Sequence, residues 1–180
     1  MQDYVSILKT VDLRLFLLSA VLFCVGVVLS SLVVKKNLKV FLWYPLWIWN
    51  LVKKHLSSDD SLLKIFFTIF LLNSLSLFVN VISGFLIILP FIFAVLLGMN
   101  IGIIILKETG KLNLAVIFLN PVSLFEFPAA WISLSLGMKI GILSYSANVF
   151  LAYIFIVIPL LIISGITETV MIKLLAKHVS

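Results

Sequence analysis

Four side chains carry chemistry into stretches of this sequence that are otherwise hydrocarbon: Asn80, Asn100, Glu126 and Glu168. Leu124, Phe125 and Phe127 flank Glu126, while Glu168 stands late in the last apolar run, nearer an interface. An ionised carboxylate deep in a bilayer costs at least ~2.5–3.5 kcal/mol, so such a residue faces protein or water. There it can exchange a proton or hold a cation, and a carboxamide beside it can donate and accept hydrogen bonds. Glu126 is therefore expected to point inward and to share a polar site with Asn80 or Asn100, with Glu168 as a further member.

The residue types of most soluble enzymes are missing. The sequence has no P-loop, no HExxH and no nucleophile–base pair, and His55 and His178 lie outside the apolar runs. Cys24 is the one cysteine, which excludes an internal disulfide and a thiolate metal cluster. No catalytic residue, metal or cofactor is expected, and the chain reads as non-enzymatic.

The elements that must position these groups are transmembrane helices. Of 180 residues, 63% are hydrophobic and 11% charged, where a soluble domain would carry roughly 25% charged residues. Successive apolar runs of eighteen or more residues imply an all-α, polytopic transmembrane bundle forming a single domain over residues 1–180. A β-barrel would need alternating segments, and there are none. The net charge of +6 is assigned to lysine at the cytoplasmic interface and not to nucleic acid.

About five spans are expected, over residues 13–34, 61–83, 85–106, 112–138 and 144–175, behind a short polar lead from Met1 to Asp12. The first span is too long for a signal-peptide core and is expected to be retained. Between the first two, residues 38–56 gather Trp43, Tyr44, Trp47 and Trp49 around Pro45, with lysines on both sides. Aromatic side chains settle at headgroup level, so this segment predicts an interfacial helix. Asp59, Asp60 and Ser61 supply a cap for the second span. Asn73, Ser76, Asn80 and Gly84 share one face of it. The stripe is read first as interhelical hydrogen bonding, with a wet pathway as the competing role.

The densest stretch is Asn120–Gly141, NPVSLFEFPAAWISLSLGMKIG. Asn120 and Pro121 form a helix-start signal, and Pro121, Pro128 and, in the last span, Pro159 are expected to break or kink their helices. Ala129, Ser133, Gly137 and Gly141 recur every fourth residue, which puts them on one close-packing face. Gly98 and Gly102 form a second such seam, GxxxG around Asn100, and one of the two could build a homodimer. Residues 112–138 fit either one broken span or two half-helices that dip in and return. If every span crosses, ten of the thirteen basic residues fall on one side. That bias puts the aromatic segment and the C-terminus in the cytoplasm.

These motifs occur in a familiar order: Phe78-Val79-Asn80, Gly98 with Asn100 and Gly102, Pro121 with Glu126, Pro128-Ala129, Gly137, then Glu168. Over roughly Phe66 to Met171 the chain resembles the stage II sporulation protein M family of small polytopic membrane proteins. The family commonly reads Pro-His-Gly before two residues and the Glu, whereas Val122 and Ser123 replace His and Gly here. The resemblance implies a multi-pass protein of the cell membrane. In endospore formers the family acts in engulfment, alongside partners that remodel peptidoglycan, and it also occurs where no spores are made. The resulting expectation is assembly or remodelling of the envelope, with the lipid bilayer and other membrane or envelope proteins as partners. The alternative is a small transporter, lipid flippase or channel using Glu126, Glu168, Asn80 and Asn100.

Overall fold

The computed structural model describes residues 2–55, 60–143 and 148–179, and every element among them is helical. In chain order come α1 (Gln2–Leu8), α2 (Leu13–Lys35), α3 (Lys39–His55), α4 (Leu62–Ile82), a 3-10 turn (Ser83–Phe85) and α5 (Leu89–Thr109). Then follow α6 (Leu114–Phe118), α7 (Ser123–Leu143), α8 (Asn148–Ala152), a π-helical turn (Tyr153–Val157) and α9 (Ile158–Val179).

Among the described residues four helical runs are long and apolar enough to cross a membrane: Leu13–Lys35, Leu62–Phe85, Leu89–Thr109 and Asn148–Leu174. α7 is equally long at 21 residues, about 31 Å at 1.5 Å per residue. It carries Glu126 and Lys139, and neighbouring helices bury its middle. Ala129, Ala130 and every residue from Ser133 to Met138 are buried, with α2, α4, α5 and α9 packed around them.

Two small-residue seams set the helix directions. Phe23 of α2 lies on Gly98 of α5, Gly26 on Val95 and Met99, and Ser30 on Gly102. Residue numbers rise together along this contact, so α2 and α5 are parallel. On the other side Ser133 of α7 meets Asn80 of α4, Gly137 meets Asn80 and Gly84, and Gly141 meets Gly84 and Ile87. α4 and α7 are therefore also parallel. α9 runs the opposite way along α4, with Tyr153 beside Ser74 and Phe78 and Gly165 beside Phe66 and Phe70. Gly98, Gly102, Ala129, Ser133, Gly137 and Gly141 thus do face helices, but helices of the same chain. Both seams are filled, so a homodimer would need a different surface.

Helix ends follow local chemistry. Asp12 Oδ1 accepts from the Arg14 and Leu15 N–H groups at 2.8 and 3.3 Å and starts α2. Ser61 Oγ accepts from the Lys64 N–H at 3.3 Å, and Asp60 pairs with Lys64 at 2.6 Å. Asp59, the third residue of that expected cap, lies outside the described residues, as do residues 144–147 at the expected start of the last span. Asn120 Oδ1 accepts from the Val122 N–H at 3.0 Å and holds the turn at Pro121 that leads into α7. Gly110 closes α5 with φ 72°, a conformation that suits glycine, and its N–H returns to the Leu106 carbonyl at 3.0 Å.

Several expectations are corrected. The lead before Asp12 is not merely polar: it forms α1, with Ile7 and Thr10 buried, and the Thr10 carbonyl accepts from Lys139 Nζ at 2.7 Å. The third span starts at Leu89 instead of residue 85, because Pro90 favours the first helical turn. Residues 112–138 are neither a hairpin of half-helices nor one broken span. They give the five-residue α6, a turn at Pro121, and a helix continuing to Leu143. Pro128 sits inside α7 without ending it. It removes one backbone donor, and packing on several sides holds the rest of the helix. Pro159 produces the π turn immediately before it: the missing N–H and the ring release the preceding turn, which widens to longer-range bonding.

Candidate functional site

A cavity of about 890 Å³ lies between α4 on one side and α3 and α5 on the other. Asn80, Asn100, Glu126 and Glu168 all line it, each contributed by a different helix. Asn73 and Ser76 of the α4 stripe join them, while Gly84, the fourth member of that stripe, packs on α7. The stripe therefore divides: its upper part makes the helix seam and its lower part faces the cavity.

Asn80 is the most enclosed of the four at 6% exposure, and its Nδ2 donates to Ser133 Oγ at 3.4 Å. Ser133 in turn donates to the Ala130 carbonyl at 2.7 Å, and Ser83 Oγ donates to the Asn80 carbonyl at 2.7 Å. Glu126 occupies the first turn of α7, where the positive end of the helix favours a negative charge. It thus stands at one end of α7, although that end lies beside the middle of α4. The α4–α7 register, Asn80 opposite Ser133, sets Glu126 level with Asn73 two turns away. Among the described residues neither Glu126 nor Glu168 has a hydrogen-bond or ion-pair partner, and no lysine, arginine or histidine lines the cavity. Nor do the described residues gather three His, Cys, Asp or Glu side chains in metal-binding geometry.

The aromatic helix has a role that the sequence reading missed. Phe41, Tyr44, Ile48 and Val52 occur at i, i+3, i+7 and i+11, a single helix face, and all four line the cavity. That spacing was the available signal. Pro45 and Trp49 line it too, and Trp49 Nε1 donates to Glu108 Oε1 at 2.7 Å, tying α3 to the end of α5. On the opposite face Trp43 and Trp47 stack at 6.1 Å between ring centroids, 68% and 48% exposed. That exposure suits a helix lying at the headgroup level.

Packing of aromatic groups fixes the helices that carry the acids. Phe23 of α2 contacts Phe118 of α6 and Phe127 and Trp131 of α7, at centroid distances of 6.4, 4.9 and 5.8 Å. This cluster holds the N-terminal end of α7, and with it Glu126, against the α2–α5 pair. The Tyr153 hydroxyl donates to the Ser74 carbonyl at 2.6 Å and locks the last helix onto α4.

Fold and site together define a polytopic α-helical membrane protein with a mostly apolar cavity among its helices, into which four polar side chains reach. The chain belongs to the stage II sporulation protein M family, whose family model matches residues 19–171. No curated protein and no solved structure matches it. The match takes in all four polar residues and both glycine seams, and leaves out α1 and the end of α9.

Proposed function

We propose that this is a non-enzymatic protein of the cell membrane that binds a solute or lipid in its intramembrane cavity and moves it across the bilayer. One observation carries this reading: two carboxylates and two carboxamides from four helices meet in one cavity, and the carboxylates have no partner among the described residues. In a purely structural bundle the acids would be expected to pair with one another's neighbours or with backbone freed by proline. Intramembrane acids beside proline-interrupted helices suit transport, since the open backbone and the charge both need something to coordinate.

Assembly or remodelling of the envelope is the second reading, and membership of the family favours it. Its structural support is the exposed Trp43–Trp47 stack, which offers a surface to lipid or to a membrane partner. Substitution of Glu126 separates the two. Glutamine keeps hydrogen bonding but neither exchanges a proton nor holds a cation strongly, and leucine does neither. In vesicles loaded with a pH-sensitive dye, a cation- or proton-coupled transporter should show flux that falls with both Glu126→Gln and Glu126→Leu. A scaffold should tolerate Gln, lose stability with Leu and show no flux to begin with.

A further inference from the structure

We infer that the occupant of the cavity is a cationic amphiphile: an alkyl chain carrying a primary or quaternary ammonium head. This deepens the reading of the cavity as a ligand site and rests on it. Three features of the walls point to it: their charge, the size of the space and the way in.

Charge comes first. Glu126 and Glu168 face the cavity, and among the described residues no basic side chain lines it. Two of the described lysines are engaged elsewhere: Lys139 reaches the Thr10 carbonyl, and Lys64 pairs with Asp60. A ligand that brings its own positive charge would compensate the ionised acids. Tyr44 and Trp49 on the α3 wall add aromatic surfaces of the kind that attract ammonium groups.

Size is the second part. An inorganic cation with its water would leave most of the space unfilled by anything matched to its walls. At about 890 Å³ the cavity is some thirty times the ~30 Å³ that one water occupies in the liquid, and within the ~300–1,000 Å³ typical of small-molecule sites. Ile69, Leu72, Leu75 and Val79 of α4 and Leu96 and Ile104 of α5 also line the cavity, interleaved with Asn73, Ser76, Asn80 and Asn100. That wall matches an alkyl chain.

Access is the third. Leu72, Leu75 and Val79 on α4 and Phe41 and Tyr44 on α3 line the cavity and are also exposed at the molecular surface. Leu72, Leu75 and Val79 belong to the face that contacts lipid in a membrane-spanning bundle, and Phe41 and Tyr44 stand at the rim of the α3 face that turns inward. The cavity therefore opens sideways between α3 and α4, and a molecule already dissolved in the bilayer can enter head first. A water-soluble ion has no comparable reason to meet an apolar rim.

Native mass spectrometry of the full chain in neutral maltoside micelles tests this with four probes at equal mole fraction: dodecyltrimethylammonium, dodecanol, tetramethylammonium and sodium. One saturable dodecyltrimethylammonium adduct is expected, with the other three bound at least about tenfold more weakly, the order of one lost charge-assisted or apolar anchor. Glu126→Gln and Glu168→Gln should weaken the alkylammonium adduct about tenfold and leave the weak dodecanol binding as it was. Leu72→Trp, which fills the rim without touching either acid, should block the adduct, and it decides the matter if a Gln variant fails to fold. Retention of the adduct in Leu72→Trp would overturn the proposal. Equal binding of dodecanol would overturn the ionic part, and equal binding of tetramethylammonium or sodium would overturn the alkyl part, while the cavity remained a ligand site. No adduct with any probe, together with no vesicle flux, would overturn both this inference and the function on which it rests.

Discussion

The backbone of Gly137 on α7 lies against the carbonyl oxygen of Asn80 on α4, so closely that a Cβ at 137 would collide with that oxygen. The contact sets the level of one cavity residue against the helix that carries another, Glu126. Gly137→Leu is accordingly expected to destabilise the fold by ~1–3 kcal/mol or more through overpacking, because the obstructing atom is backbone and cannot rotate away. Tryptophan fluorescence during thermal unfolding in detergent checks this. An unfolding temperature equal to that of the parent would mean that α4 and α7 do not meet at this level.

The other seam makes a graded prediction. A methyl group at Gly98 would strike the Phe23 carbonyl, whereas at Gly102 it would first strike the Ser30 hydroxyl. The Ser30 hydroxyl can change rotamer, although its Cβ at 2.7 Å cannot, whereas every atom met at position 98 is backbone, so Gly98→Ala should lower stability more than Gly102→Ala. Adding Ser30→Ala to Gly102→Ala should recover part of the loss. It also removes the 2.6 Å bond that Ser30 donates to the Val27 carbonyl, which limits the recovery. Equal effects of the two glycine substitutions would contradict the packing of α2 on α5.

Much of this architecture was legible in the residues themselves. Spacing of four between Ala129, Ser133, Gly137 and Gly141 identifies a face, and the cost of burying acid in lipid identifies Glu126 and Glu168 as inward groups. Periodicity does not say which helix meets which face. The seams therefore looked equally suited to a second copy, and only the parallel pairing of α2 with α5 and α4 with α7 showed them to be filled. The cavity wall on α3 was hidden for a different reason. Its aromatic residues satisfy the rule for a headgroup-level helix, and that reading absorbed the Phe41–Tyr44–Ile48–Val52 face that turns toward the bundle. α1 escaped notice because seven residues are too few for a periodic signal; tertiary contacts hold it, with Ile7 buried in the core around α8.

Topology yields a separate expectation. The lysine bias predicts that the α5–α6 connection is cytoplasmic and the N-terminal helix is outside. In a Cys24→Ser background, Lys9→Cys should react with an impermeant maleimide in intact cells, and Lys111→Cys only after the membrane is opened. Both positions are exposed on the protein surface, so burial does not confound the result. The reverse pattern would invert the orientation, and labelling of both in intact cells would show that the helices between them do not cross an odd number of times.

The central claim is that the space between α3, α4 and α5 is a polar site which water or a ligand head can reach, and cysteine accessibility measures that most directly. In Cys24→Ser protein reconstituted into vesicles, Asn100→Cys lines the cavity and Val28→Cys faces outward from α2, 61% exposed as a residue and apolar in its surroundings. A charged methanethiosulfonate reagent attacks the thiolate, which forms only where the sulfur meets a polar environment. Asn100→Cys is expected to react at least about tenfold faster than Val28→Cys, and dodecyltrimethylammonium should slow it. If Asn100→Cys is as inert as Val28→Cys, the cavity is closed to polar groups and the account fails.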